Sequence, residues 1–156
     1  PYKRLLTPTM LRCCAELGFR FIKDTCCDAD VIRERLRLLE GTGVELYNAN
    51  AQTLYQTLRD GAAGYCGIMG NFHPQLYAWL CHHVDDPRAE LIGAAVSVFD
   101  SAENAGYPCS AKYYLDAFEG VHMGWTARCR ETPAFTPYQR ECLRQMKLLA
   151  DSLLPA

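Results

Sequence analysis

The sequence predicts an α/β fold with parallel strands that ends in a helical tail. Three observations carry this. Short runs at 19–25, 44–48 and 63–69 are apolar or glycine-rich and bounded by turn residues, as buried strands are. Amphipathic stretches separate them with loops of a few residues, giving the order α-β-α-β-α-β-α, which implies parallel strands and right-handed crossovers. After Asp85-Asp86-Pro87 the strand signals stop and three helical stretches follow. Residues 1–85 are therefore expected to form the β/α part and residues 86–156 a helical segment.

Each element has a local reason. Thr7 followed by Pro8 reads as an N-cap and first helical residue, and Gly18 suits the end of that helix. The run Phe19-Arg-Phe-Ile-Lys-Asp-Thr25 follows at once, and its composition predicts a strand buried on both faces. Asp28 or Asp30 caps a second helix whose apolar side is Val31, Ile32, Leu36 and Leu39, with its arginines and glutamates turned outward. Gly41-Thr-Gly43 closes it. Val44 to Asn48 is the second strand and Ala49 to about Arg59 the third helix. Ala63 to Met69 is a glycine-rich strand that neighbouring backbone approaches closely. Asn71 or His73 caps a helix starting at Pro74. Helices are then expected over Arg88–Glu103, Ala111–Glu119 and from Pro137 to about Leu154, the last opened by Thr136-Pro137.

Composition narrows the function classes. At 156 residues, with 49% hydrophobic and 22% charged residues, the chain suffices for one ordinary globular core. A net charge of −2 gives no basic field for nucleic acid or an anionic membrane surface. No apolar run approaches the ~20 residues that span a bilayer, and no signal peptide is visible. The nine cysteines include the adjacent pairs Cys13-Cys14 and Cys26-Cys27 but no Cys-x-x-Cys and no zinc-type spacing. The expectation is reduced, mostly buried thiols in a cytoplasmic protein.

Lys23 is the residue that stands out. An ammonium at the end of a buried strand is costly to desolvate. The plain explanation is that it snorkels out or pairs with Asp24. The sharper one is a nucleophilic amine that attacks a carbonyl to form a Schiff base. His73, before Pro74, reads mainly as a cap or packing residue. His82-His83 suits a helix end. Ser110 has no His/Asp arrangement that would make it a nucleophile.

Three segments carry a resemblance. Phe21-Ile-Lys-Asp-Thr25 is similar to the Schiff-base strand of the dihydrodipicolinate synthase / N-acetylneuraminate lyase family of pyruvate-dependent class I aldolases. Gly61-Ala-Ala-Gly-Tyr-Cys-Gly-Ile-Met-Gly-Asn71 is similar to that family's last barrel strand. Tyr107-Pro-x-Ser-Ala-Lys-Tyr-Tyr-Leu115 is similar to its C-terminal helical segment. The three stand in the family's order and span nearly the whole chain, but only the C-terminal half of a typical member. The resemblance implies strands six to eight of a (β/α)8 TIM barrel followed by a helical extension. Eight strands need roughly 250 residues, so the chain is expected to be a fragment, inactive by itself.

The resemblance also implies the chemistry. Lys23 would form an iminium with pyruvate or another 2-oxo acid, and an aldehyde would be the aldol partner. No cofactor or metal is implied, and a homo-oligomer is the expected assembly. Cys66 matches the strand-eight residue whose carbonyl faces the Schiff base. Where better-known members carry Gly-Asp-Asp or Gly-Asp-Glu for the second substrate, this chain has Asn48-Ala-Asn50, so Asn48 and Asn50 are the candidate acceptor-binding residues, with a helix N-cap an equal reading of Asn50. The family's proton-transfer tyrosine falls before Pro1, and Tyr2 does not match its motif. A non-catalytic binding or regulatory protein on the same fold is the alternative.

Overall fold

The protein is described by a computed structural model covering residues 5–128 and 136–154; Tyr2 and Cys129 lie outside the described residues. The order of elements is α1 (Pro8–Glu16), β1 (Phe21–Asp24), α2 (Ala29–Leu39), β2 (Glu45–Asn48), α3 (Leu54–Arg59) and β3 (Gly64–Tyr65). A 3₁₀ turn (Ile68–Asn71), α4 (Pro74–His82), α5 (Ala89–Asn104), α6 (Cys109–Phe118) and α7 (Pro137–Leu153) complete it. The strands form one parallel sheet in the order β1-β2-β3. Phe21, Ile22, Lys23 and Asp24 lie opposite Glu45, Leu46, Tyr47 and Asn48, and Tyr47 lies opposite Gly64.

Helix starts follow the expected caps. The Thr7 hydroxyl accepts from the Met10 N–H, and Thr136 with Gln139 forms a reciprocal capping box. Asp28, rather than Asp30, caps α2, accepting from the N–H groups of Asp30 and Val31 at 3.0 and 3.1 Å. His73 occupies the N-cap position of α4 without a capping bond.

Two apolar clusters hold these elements. Leu11, Ile22, Ile32, Leu39, Val44 and Leu46 join α1 and α2 to the back of β1 and β2. A larger cluster runs from Ala51, Leu54 and Leu58 through Phe72, Leu76 and Leu80 to Val96, Phe99, Tyr114, Leu143 and Met146. It joins α3 and α4 to α5, α6 and α7 in one continuous packing.

Several expectations need correction. The first strand is buried on one face only: Ile22 and Asp24 are buried, while Phe21 is 50% exposed and Lys23 is exposed. Arg35 does not face outward; it is buried against Asp24, and its Nη2 donates to the Leu6 carbonyl at 2.9 Å. The third helix starts at Leu54, not Ala49, because amide side chains capture the intervening turn. Asn48 Oδ1 accepts from Asn50 N–H (2.8 Å) and Asn50 Oδ1 from Thr53 N–H (3.1 Å). The third strand keeps only Gly64 and Tyr65, since the chain turns at Gly67 into the 3₁₀ segment. The cysteines are free as expected among the described residues, but only Cys109 of them is buried.

Candidate functional site

Parallel α/β structures concentrate chemistry at the carboxyl ends of their strands, where the loops are free to vary. In this chain those ends surround a cavity of about 550 Å³. Lys23 reaches it from β1, Asn50 from the turn after β2, and Tyr65, Gly67 and Met69 from β3 and the segment following it. α5 contributes Asp100 and Asn104 to the same lining. A second cavity of about 540 Å³ lies beside Arg33, Leu39, Glu40, Val44 and Asp60, next to the amino end of β2. Its Arg33 is already tied to Asp60 at 3.0 Å and to Asp30 at 2.6 Å.

Lys23 sits where the sequence suggested, at the end of β1, but its neighbour is not its partner. Asp24 points to the other face, where it pairs with Arg35 and accepts from the Cys26 N–H at 2.8 Å. Strand alternation separates the two charges. The lysines also differ among themselves. Lys112 donates to the Thr126 carbonyl, and Lys147 contacts Glu119 at 3.3 Å and Asp151 at 2.6 Å. Among the described residues no hydrogen bond or ion pair holds Lys23 Nζ. Lys23 is therefore an amine without a partner among the described residues, at the lining of the cavity.

The two candidate amides behave differently from their expected roles. Asn48 is fully buried and its side chain is used up. Its Nδ2 donates to Thr53 and Thr57, both at 2.9 Å, while its Oδ1 accepts from Asn50. Asn48 therefore builds the β2–α3 turn and is not available to a ligand. Asn50 lines the cavity, but its Nδ2 donates to Gln52 Oε1 at 2.5 Å, so it reaches a ligand through its neighbours. Cys66 is half-buried between two cavity residues, and its N–H donates to the Asn48 carbonyl at 2.8 Å, extending the β2–β3 ladder.

Tyr65 and Gly67 set the shape of the floor. The Tyr65 ring stacks on Tyr77 at 4.1 Å, and burial pushes its phenol up to about 12. Its hydroxyl occupies the space a side chain at 67 would need: a Cβ there would sit 2.1 Å from the Tyr65 oxygen and 2.6 Å from the Ala49 carbonyl. Glycine is the residue that lets the backbone pass there.

Sequence reasoning missed Asp100, Asn104 and Gln52. Gln52 Nε2 donates to Asp100 Oδ2 at 2.5 Å, linking the turn after β2 to α5. The one local signal was a carboxylate one turn after Val96 and next to Phe99. Reasoning from sequence also undervalued His73. Its ring is buried, with Nε2 against Glu103 and Nδ1 3.1 Å from the Tyr114 hydroxyl. Burial raises the Glu103 carboxyl above its ordinary value, and His73 partly opposes this. Ser110 is buried beside them and donates to the Glu103 carbonyl at 2.8 Å.

Among the described residues no helix is long and apolar enough to cross a membrane. No known family model matches the chain, and no curated protein matches it. Solved structures do. A monomeric dihydrodipicolinate synthase variant superposes with a TM-score of 0.78 at 19% identity, covering 94% of this chain and 50% of that one. The chloride-inhibited dihydrodipicolinate synthase from Acinetobacter baumannii, complexed with pyruvate, gives 0.77 at 20% identity, with 95% and 51% covered. The dihydrodipicolinate synthase from Thermotoga maritima gives 0.76 at 18% identity, with 94% and 51% covered. The chain spans about half the length of these proteins. Its fold is thus that of the C-terminal half of the dihydrodipicolinate synthase barrel, with parallel strands followed by packed helices.

Proposed function

We propose that this chain belongs to a Schiff-base aldolase or lyase of the dihydrodipicolinate synthase type, with Lys23 as the nucleophile. The observation that carries the proposal is the unpartnered Lys23 Nζ on the rim of a cavity at the strands' carboxyl ends. The neutral amine attacks the keto carbon of pyruvate or another 2-oxo acid. The new N–C bond forms, the keto oxygen leaves as water with one proton taken up, and an iminium remains. That cation stabilises the carbanion formed when the adjacent carbon loses a proton, or when a β-hydroxy bond cleaves to release an aldehyde. Pyruvate in the crystal of the Acinetobacter baumannii enzyme supports this choice of ligand class. The carbonyl of Cys66 would face the adduct, and Asn50 would support the acceptor side. We place the protein in the cytoplasm as a homo-oligomer. Free cysteines support the first, and Leu91, Val98, Leu148 and Leu149, exposed on α5 and α7, support the second.

Incubation of the full-length protein with pyruvate and borohydride tests the reading. The expected result is a reduced pyruvyl adduct mapped by peptide mass to Lys23. No adduct would favour the second reading, a binding or regulatory protein. That reading draws on Asn48, which is spent on its own turn and unavailable to a substrate.

A further inference from the structure

Two charged side chains line the cavity among its described residues, Lys23 from β1 and Asp100 from α5. Asp100 is fixed by a chain of amides. Asn50 Nδ2 donates to Gln52 Oε1, Gln52 Nε2 donates to Asp100 Oδ2, and the same Gln52 nitrogen lies 3.4 Å from the Ser97 carbonyl. This chain holds one carboxylate oxygen and leaves the other, since no described group donates to Asp100 Oδ1. Asn104, four residues on, stands on the same side of α5 and lines the same cavity. Among the described residues, α5 thus offers the cavity a carboxylate oxygen and an amide, and no cation.

Resting on the Schiff-base reading, we propose that Asp100 reads the acceptor, selecting a hydroxyl-bearing aldehyde without an anionic group. In the enamine that attacks the acceptor the Lys23 nitrogen is neutral, and Asp100 remains as a negative charge in the lining of the cavity. A hydroxyl donates a hydrogen bond to that oxygen, and bonds to charged acceptors are the stronger kind. A carboxylate or phosphate on the acceptor meets like charge instead, an arrangement that rejects the wrong ligand. Asn50 takes part as the first link that orients Asp100, which explains an amide at the cavity whose own polar atoms are engaged by Gln52 and Thr53.

The test compares the full-length protein with Asp100→Asn, using pyruvate and two acceptors of equal carbon length, glyceraldehyde and glyceraldehyde 3-phosphate. The wild type is expected to trap pyruvate at Lys23 and to prefer glyceraldehyde. Asp100→Asn is expected to trap pyruvate as well, to lose about tenfold in kcat/KM for glyceraldehyde, and to lose most of the discrimination against the phosphorylated acceptor. Adduct formation by the variant shows that its fold and its lysine are intact. An unchanged acceptor ratio in a variant that traps pyruvate overturns the role of Asp100 alone. So does a wild type that traps pyruvate but fails to turn over glyceraldehyde or prefers the phosphate. A wild type that traps no pyruvate overturns the Schiff-base reading and this inference together.

Discussion

Asp100 and Glu103 are carboxylates three residues apart on α5, yet they live in opposite surroundings. Asp100 is half-buried at the cavity, with one oxygen tethered by Gln52 and the other open. Glu103 is fully buried on the core side, pressed against His73, and its Oε2 has no partner among the described residues. Solvent screens the first, so its charge costs little and remains available to a ligand. Desolvation dominates the second, which raises its pKa despite the imidazole beside it. One helix therefore carries a group for recognition and a group that fixes how α4, α5 and α6 meet.

Removing each carboxylate should separate these roles most strongly. Glu103→Ala leaves His73 Nε2 buried without its partner, and breaking such a pair costs about 3–5 kcal/mol. Asp100→Ala loses the hydrogen bond from Gln52 and should cost only about 0.5–1.5 kcal/mol. Urea midpoints of the two variants check this, and equal losses would mean that the two sides of α5 are not distinct. The pH profile sharpens it. A carboxyl whose folded pKa is raised binds its proton more tightly in the folded state. Its contribution to stability is complete below the ordinary carboxylate range and is lost as pH rises through the raised value. Glu103→Gln, which cannot titrate, should flatten that decline in unfolding midpoints taken at stepped pH.

Local chemistry made much of the frame legible. Proline at a first helical position after a threonine cap marked α1 and α7 correctly, because both residues act within one turn. The apolar run into Lys23 located β1 and the lysine at its end. What stayed hidden depends on distant residues. Arg35 looked like one of several outward charges on α2 until Asp24 and the Leu6 carbonyl met it from two other segments. His73 and Glu103 are thirty positions apart, and only the packing of α4 on α5 brings them together. The short amides Asn48 and Asn50 read as ligand groups or as a cap, whereas their bonds to Asn50, Thr53 and Thr57 assign them to the turn.

At Gly67, in the lining of the cavity, the expected effect is intermediate. Gly67→Ala drives a methyl into the Tyr65 phenol and, more seriously, into the Ala49 carbonyl. The phenol could swing away, but the Ala49 carbonyl belongs to the backbone of the β2 turn. Overpacking of this kind costs about 1–3 kcal/mol. The variant should also disturb the Asn50–Gln52–Asp100 chain, which starts one residue beyond Ala49. A stability loss below 0.5 kcal/mol with unchanged acceptor kinetics would show that Tyr65 is free to leave and that the floor is not rigid.

The smallest effect on stability should come from the residue with the largest effect on chemistry. Lys23 is exposed and has no partner among the described residues, so Lys23→Ala should shift the unfolding midpoint by less than about 0.5 kcal/mol. The same variant should lose the borohydride-trapped pyruvyl adduct entirely. Lys23→Arg separates charge from nucleophilicity, since a guanidinium keeps the positive charge but stays protonated. It should trap nothing either. Lys112 and Lys147 serve as internal controls: both are engaged, by the Thr126 carbonyl and by Glu119 and Asp151, and neither lines the cavity. An adduct that persists in Lys23→Ala and maps to one of these would mean that partner-free exposure at the strand ends does not select the reactive amine. An adduct that vanishes while the midpoint holds would make Lys23 the converse of Glu103, a side chain that the fold does not need and the reaction does.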